Sequence, residues 1–232
     1  MAEISTFLLG DYCLQQNDYT PHTESCPLCG SITVSAYYHD KMRSYLCCSQ
    51  CQLVFVPRVF HLSSTAERAV YDQHQNNPND QGYRKFLSRL ADPLLEKLAP
   101  NSLGLDFGSG PGPTLSLMLK EQGHKVAIYD PYYAPDKLAL EGHYDFITST
   151  EVVEHLASPG LELDRLWRLL KHGGYLGLMT KQVTDRDSFD SWHYKNDPTH
   201  ISFFSQQSFE YLGTKWGSAP MFVGADVILF RK

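Results

Sequence analysis

The stretch Leu103-Gly-Leu-Asp106-Phe107-Gly108-Ser109-Gly110-Pro111-Gly112-Pro113-Thr114 leaves this chain few folds to choose from. An apolar run ends in a turn so rich in glycine that the backbone can approach a ligand closely, and Leu115, Leu117, Met118 and Leu119 then continue a helical pattern up to Gly123. Strand, glycine loop and helix in that order make a nucleotide site at the carboxyl end of a parallel strand. A second apolar stretch, Val126-Ala-Ile128-Tyr129, ends in Asp130, well placed to accept hydrogen bonds from two ribose hydroxyls. The dinucleotide fingerprint fails because its sixth position is Pro113, and Asp106 stands two residues ahead of the first glycine.

Residue for residue, Asp106-Phe-Gly108-Ser-Gly110-Pro-Gly112 resembles the first motif of the class I S-adenosylmethionine-dependent methyltransferases. The resemblance implies an α/β fold, a doubly wound Rossmann-like sheet, with S-adenosylmethionine as cofactor. It carries Gly108 and Gly110 over to the methionine and ribose part of the cofactor and Asp130 to the ribose, with Asp106, Ser109, Pro111, Pro131, Thr150 and Glu151 completing the expected cofactor set. Tyr144 to Leu156 looks like the family's fourth strand and the start of its next helix. Leu166 to Leu170, then Lys171-His172-Gly173-Gly174 and Tyr175 to Met179, look like the following helix, turn and fifth strand, with His172 in place of the usual proline. Trp192 to Ser205 resembles the corresponding segment of the ubiquinone-biosynthesis-like methylases. Only 13 residues separate Asp130 from Tyr144, so the third strand is expected to be short or missing. Pro131, Pro135 and the pair Tyr132-Tyr133 read instead as an irregular segment over the adenine.

Methyl transfer displaces an activated sulfonium carbon, so the enzyme's main task is to hold the acceptor in line. Residues beyond the fourth and fifth strands face the cofactor in such a sheet. Glu151, Glu154 and His155 stand at i, i+3 and i+4, one face of an expected helix, and His200 follows later. These four form the candidate catalytic set. Two carboxylates and two imidazoles suit a divalent metal such as manganese, iron or, less comfortably, magnesium, and the arrangement resembles the metal site of small-RNA 2′-O-methyltransferases. Without a metal, His155 or His200 offers a general base. Trp192, Tyr194 and Asp197, with Tyr83 and Arg84 from an Asn/Pro/Asp/Gly turn, are candidates for the acceptor pocket; Phe203 and Phe204 read as core.

A separate signal precedes all this. Cys26-Pro-Leu-Cys29-Gly30 and Cys48-Ser-Gln-Cys51 are two CxxC knuckles whose spacing fits a tetrahedral zinc site. Cys47 competes with Cys48, but only Cys48 gives the knuckle spacing, and Cys13 is left over as a buried thiol. A ribbon of this size cannot fold on apolar burial alone, and a structural zinc supplies on the order of 10–16 kcal/mol of apparent binding free energy. Four thiolates leave no open coordination position, so the metal's role is structural or one of docking.

The chain thus divides into an N-terminal segment with a zinc ribbon (1–60), a helical connector or lid (61–100) and the methyltransferase domain (101–232). In the connector, Phe86, Leu87, Leu90, Leu94 and Leu98 form one apolar stripe, expected to split into two helices at Pro93. With 42% hydrophobic and 20% charged residues over 232 positions, the chain buries a sizeable core without cross-links. No apolar run nears the ~20 residues of a membrane span, and the opening segment lacks a basic flank, so a cytoplasmic, uncleaved chain is expected. The leading function is methyl transfer to the oxygen or carbon of a small molecule. Two alternatives stay open: an RNA methyltransferase docking through its ribbon, and a catalytically inactive cofactor-binding regulator. Residues 1–60 hold 3 basic and 5 acidic side chains, which counts against RNA, as does the lack of an Asn-Pro-Pro-Tyr motif.

Overall fold

The structure is a computed structural model and describes residues 24–73 and 76–232; Cys13 and His74 lie outside them. The cysteine-rich segment folds as a small antiparallel sheet. Its first knuckle ends at Gly30 (φ +77°), strands β1 (Val34–His39) and β2 (Ser44–Cys48) pair with a bulge between Ala36 and Tyr38, and the second knuckle ends at Gln52 (φ +55°). Strand β3 (Val54–Phe55) then returns along β2. In each knuckle a backbone amide closes the turn onto the first cysteine's carbonyl, Gly30 N to Cys26 O and Gln52 N to Cys48 O.

Two helices connect this sheet to the larger one. Helix α1 (Ser64–Tyr71) starts at a Ser63 cap, and α2 (Gln81–Leu95) at Asp80, whose carboxylate accepts from Gly82 N and Tyr83 N. The expected break at Pro93 does not occur. Proline lies in the last turn, where its missing N–H costs one bond to Arg89 while Leu87, Leu90 and Leu94 stay buried on one stripe. Tyr83 and Arg84 consequently sit in the first turns of a helix rather than in a loop.

The rest of the chain forms β4 (Leu103–Phe107), α3 (Thr114–Glu121), β5 (Lys125–Tyr129), β6 (Tyr144–Thr150), α4 (Pro159–Leu169) and β7 (Leu170–Met179), followed by α5 (Arg186–Ser191), β8 (Ser202–Phe203), α6 (Gln206–Trp216), β9 (Met221–Val223) and β10 (Val227–Arg231); β8 joins the small sheet, and the other strands make up the larger one. Its order is β5-β4-β6-β7-β10-β9, the first four strands parallel and the last two antiparallel additions. Among the described residues no strand flanks β5 on its outer edge. The interval 131–143 is taken up by a tight bridge between Asp130 and Ala134 and a 3-10 turn at Lys137–Leu140, so the third strand expected to be short or missing is missing. Alternation along each strand feeds two cores: Phe146, Met179, Val227 and Leu229 meet α2 and α3, while Ile147, Leu176, Leu178, Ile228 and Phe230 meet α4 and α6.

The ribbon does not stand apart. Strand β3 pairs antiparallel with β8, Val54 opposite Phe203 and Phe55 opposite Ser202, and Val56 N donates to Ile201 O. Cys26, Leu28, Cys48 and Cys51 share one buried cluster with Leu163 and Leu166 of α4. Gly160 permits this contact, since a Cβ there would lie 2.2 Å from the Leu28 carbonyl oxygen. Phe203 and Phe204 are fully buried, as read from the sequence. Among the described residues no helix is long and apolar enough to cross a membrane.

Candidate active site

The glycine loop after β4 is shaped by two residues in the left-handed region, Gly108 (φ +78°) and Gly110 (φ +63°). Gly108 N donates to Tyr129 O, tying the loop to the end of β5. Asp130, at that end, accepts from Gly110 N at 3.0 Å through Oδ2 and from Tyr132 N and Tyr133 N through Oδ1. The carboxylate thereby fixes both the glycine loop and the segment that replaces the third strand. Asp106 lies beneath the loop, 4% exposed, with Thr148 Oγ1 donating to it at 2.9 Å. Burial pushes its carboxyl up to about 6 against that hydrogen bond.

Above the loop opens a cavity of about 800 Å³. Gly108, Ser109, Gly110, Pro111, Asp130, Pro131, Thr150 and Glu151 line one part of it, and His155, Asp197, Thr199 and His200 another. Helix α1 closes its side. Glu67 accepts from Tyr71 OH at 2.9 Å and from Tyr132 OH at 2.7 Å, and Asp72 accepts from Tyr133 OH at 2.7 Å. Sequence reading singled out neither Glu67 nor Asp72, because nothing in a polar helix signals partners some sixty positions away. Three buried oxygens at the cavity, Ser109 Oγ, Thr150 Oγ1 and Glu151 Oε1, have no hydrogen-bond partner within the protein, so this polar cradle fits a ligand bearing donors such as a ribose or an amino acid group.

The far part of the cavity departs from the expected geometry. No α-helix carries Glu151, Glu154 and His155. Glu151 takes a left-handed conformation (φ +52°) as the chain leaves β6, with its N–H on Met179 O, and a 3-10 turn of Val153–His155 follows. Glu154 is fully buried below the cavity, whereas Glu151, His155 and His200 line it. Tyr194 does not line the cavity. Its hydroxyl donates to Glu154 Oε1 at 2.5 Å and lies 3.3 Å from Glu151 Oε2, and its ring packs in the ribbon-side core with Trp192, which also stays out of the cavity. Arg84 likewise turns away, pairing with Glu121, while Tyr83 and Asp197 reach the cavity.

His155 and His200 lie edge to face with ring centres 4.7 Å apart. Each directs Nδ1 at a backbone carbonyl, Thr199 O at 3.2 Å and Tyr194 O at 2.7 Å, and a carbonyl can only accept. Nδ1 therefore carries a proton in each ring. Burial, then the neighbouring His155, lowers His200 to about 4, so it is neutral at physiological pH. Burial raises both Glu151 and Glu154, and repulsion between them raises Glu151 further. Glu154, His155 and His200 bring one ligand atom each within 4.8 Å of one another, and Glu154 Oε2 is buried with no partner within the protein. Glu151 is not part of that group.

At the ribbon, Cys26 Sγ lies 3.4 Å from Cys51 Sγ and Cys29 Sγ 3.5 Å from Cys48 Sγ, with all four within 4.8 Å. These spacings exceed the ~2.05 Å of a disulfide and approach the ~3.8 Å edge of a tetrahedron with zinc–sulfur bonds of about 2.3 Å. The set is compatible with a zinc site, and Cys47 stands outside it.

No curated protein matches the chain. Among solved structures it is similar to a SAM-dependent methyltransferase from Thermotoga maritima (16% identity, 72% of this chain and 98% of that one, TM-score 0.42). It is also similar to the 1,6-didemethyltoxoflavin-N1-methyltransferase of Burkholderia thailandensis, solved with S-adenosylhomocysteine (16%, 85% and 98%, TM-score 0.46). A third similar structure is an O-methyltransferase family protein of the same organism (13%, 75% and 61%, TM-score 0.48). The family model described as "Methyltransferase domain" matches residues 77–217, more than half of the chain. With the glycine loop, Asp130 and the parallel sheet in place, the chain belongs to the methyltransferase domain family, with the class I S-adenosylmethionine-dependent fold.

Proposed function

We propose that this protein transfers the methyl group of S-adenosylmethionine to an oxygen or carbon atom of a small-molecule acceptor. One observation carries the reading: the glycine loop with Asp130 and the paired histidines open onto the same cavity. Bound there, the cofactor supplies an activated methyl carbon. Asp130 and the loop from Gly108 to Pro111 hold its ribose and methionine part, and Thr150 with Glu151 marks the end nearer the acceptor. Tyr132 and Tyr133 cover the adenine in place of the absent third strand. His155 and His200 line the part of the cavity left for the acceptor, where either can take a proton from a hydroxyl or a carbon acid. Asp197, whose Oδ2 lies 3.8 Å from His200 Nε2, stabilises the imidazolium that results.

Glu154, His155 and His200 also fit a divalent ion of the manganese or iron type, a mixed oxygen and nitrogen set in which the orphaned Glu154 oxygen gains a partner. Such an ion would lower the pKa of an acceptor hydroxyl. A structural zinc on Cys26, Cys29, Cys48 and Cys51 and a reducing, cytoplasmic setting belong to the same proposal. The deciding experiment is calorimetric titration of S-adenosylhomocysteine into the wild type and Asp130→Ala, repeated with manganese. Micromolar affinity that the substitution weakens about tenfold or more supports the reading. Absence of binding to the wild-type protein overturns it.

A further inference from the structure

Arg43 sits in the turn between β1 and β2, inside the ribbon, yet its guanidinium is buried against the segment that carries His200. Nη2 donates to Lys195 O at 2.5 Å and to Asp197 O at 2.9 Å, Nη1 donates to Pro198 O at 3.2 Å, and Nε donates to Tyr45 OH at 2.9 Å. The Tyr45 hydroxyl donates to Asp40 Oδ2, and Asp40 Oδ1 accepts from Arg43 N, which closes the turn around the cation. At 6% exposure Arg43 makes no salt bridge among the described residues, so backbone carbonyls and one phenol meet its charge. An isolated buried cation is a costly way to fill space, and an apolar side chain would do so at less expense in desolvation. What the guanidinium adds is geometry, a planar fork whose donors engage three carbonyls of four consecutive residues.

Those carbonyls belong to the segment from Lys195 to Pro198, immediately ahead of His200. The same segment is pinned on its other side, where Ile201 N donates to Glu154 O and Val56 N to Ile201 O. His200 in turn hangs from Tyr194 O through Nδ1, and Asp197 Oδ1 accepts from Thr199 N and Oγ1. We propose that Arg43 is a positioning residue for the acceptor site: the ribbon reaches into the methyltransferase fold and sets the place of His200 and Asp197 through their own backbone. The ribbon is then an architectural part of the acceptor pocket rather than a detachable docking module.

This inference rests on the reading of His200 as an acceptor-site group, and its test is separable from that reading. The probe is diethylpyrocarbonate, with carbethoxylation of the His200 peptide followed by mass spectrometry on the full-length, zinc-loaded protein. Arg43→Met keeps the length and removes every donor, and it should raise the modification rate at His200 about tenfold while S-adenosylhomocysteine affinity stays within about twofold. Arg43→Lys, which keeps the charge and some of the donors, should return most of the protection. Leu46→Ala, a ribbon core truncation away from the loop, reports general loosening and should leave His200 shielded at an equal loss of melting temperature. Equal modification rates in wild type and a folded Arg43→Met overturn the proposal, and so does equal exposure in Leu46→Ala. Loss of cofactor binding by the wild type would overturn the methyltransferase reading and leave the Arg43 result standing on its own.

Discussion

The Tyr194 hydroxyl donates to Glu154 Oε1 at 2.5 Å, and the Tyr194 ring lies against His200, the two ring centres 4.1 Å apart. Thr180 Oγ1 lies 3.2 Å from the same hydroxyl, so one phenol serves a buried polar knot between β6, β7 and the segment before β8. Tyr194→Phe leaves the fully buried Glu154 carboxyl short of its donor. It should cost about 1–3 kcal/mol of stability in urea unfolding and leave S-adenosylhomocysteine affinity unchanged. A loss of cofactor affinity at unchanged stability would place Tyr194 in the pocket instead.

Gly108 faces the side chain of Val152: a Cβ built on it would lie 2.3 Å from Val152 Cγ2, on a backbone at φ +78°. Gly108→Ala therefore carries two penalties, about 1–2 kcal/mol for the left-handed conformation and a clash that can only be relieved by moving the turn after β6. Val152→Ala removes the two closest contacts, leaving Val152 Cβ 3.1 Å away, and does not touch the strain. The double variant should accordingly unfold at higher denaturant than Gly108→Ala alone, a coupling readable in a double-mutant cycle. Additive losses would show that the loop relaxes without touching Val152.

How far the sequence reveals these relationships depends on their range. The glycine loop, Asp130 and the shortened interval after it are legible because backbone conformation at a tight turn demands particular residues within a few positions. The same locality makes the two cysteine knuckles readable. Glu151 to His155 misleads for a physical reason: the spacing i, i+3, i+4 has meaning only within a helix, and the chain leaves β6 through a left-handed Glu151 that no propensity signals. Arg43 is illegible in principle. Its partners are carbonyls of Lys195, Asp197 and Pro198, and a carbonyl leaves no trace in residue type. Trp192 and Tyr194, aromatic residues in a polar stretch, fill the ribbon-side core because β3 pairs with β8, a contact between distant parts of the chain.

The two adjacent thiols Cys47 and Cys48 point to opposite sides of β2, so only Cys48 joins Cys26, Cys29 and Cys51. Cys47→Ser should retain about one zinc per chain by elemental analysis, and Cys48→Ser should lose it. Since Cys26, Cys48 and Cys51 share a buried cluster with Leu163 and Leu166, chelation should lower the melting temperature of the whole protein in one transition rather than release a separate ribbon. Two resolved transitions on metal removal would contradict that shared core.

Asp106 gives a stability prediction with a definite sign. Burial raises its carboxyl in the folded protein from the ordinary 3.8 to about 6, so the folded state holds this proton to a higher pH than the unfolded chain does. Its stabilising contribution is complete below about pH 4 and is lost as pH rises through about 6. Asp106→Asn has no proton to lose, and its amide oxygen can still accept from Thr148 Oγ1, which lies 2.9 Å from the carboxylate in the native protein. Other titrating groups are shared by both proteins and cancel in the difference. Without cofactor, the variant should therefore gain on the wild type between pH 4 and pH 6.5, by about 1.4 kcal/mol per pH unit of the window and roughly 3 kcal/mol at most. Urea unfolding of both proteins at the two pH values measures this directly, and parallel pH profiles would show that Asp106 is ionised beneath the glycine loop across the whole range.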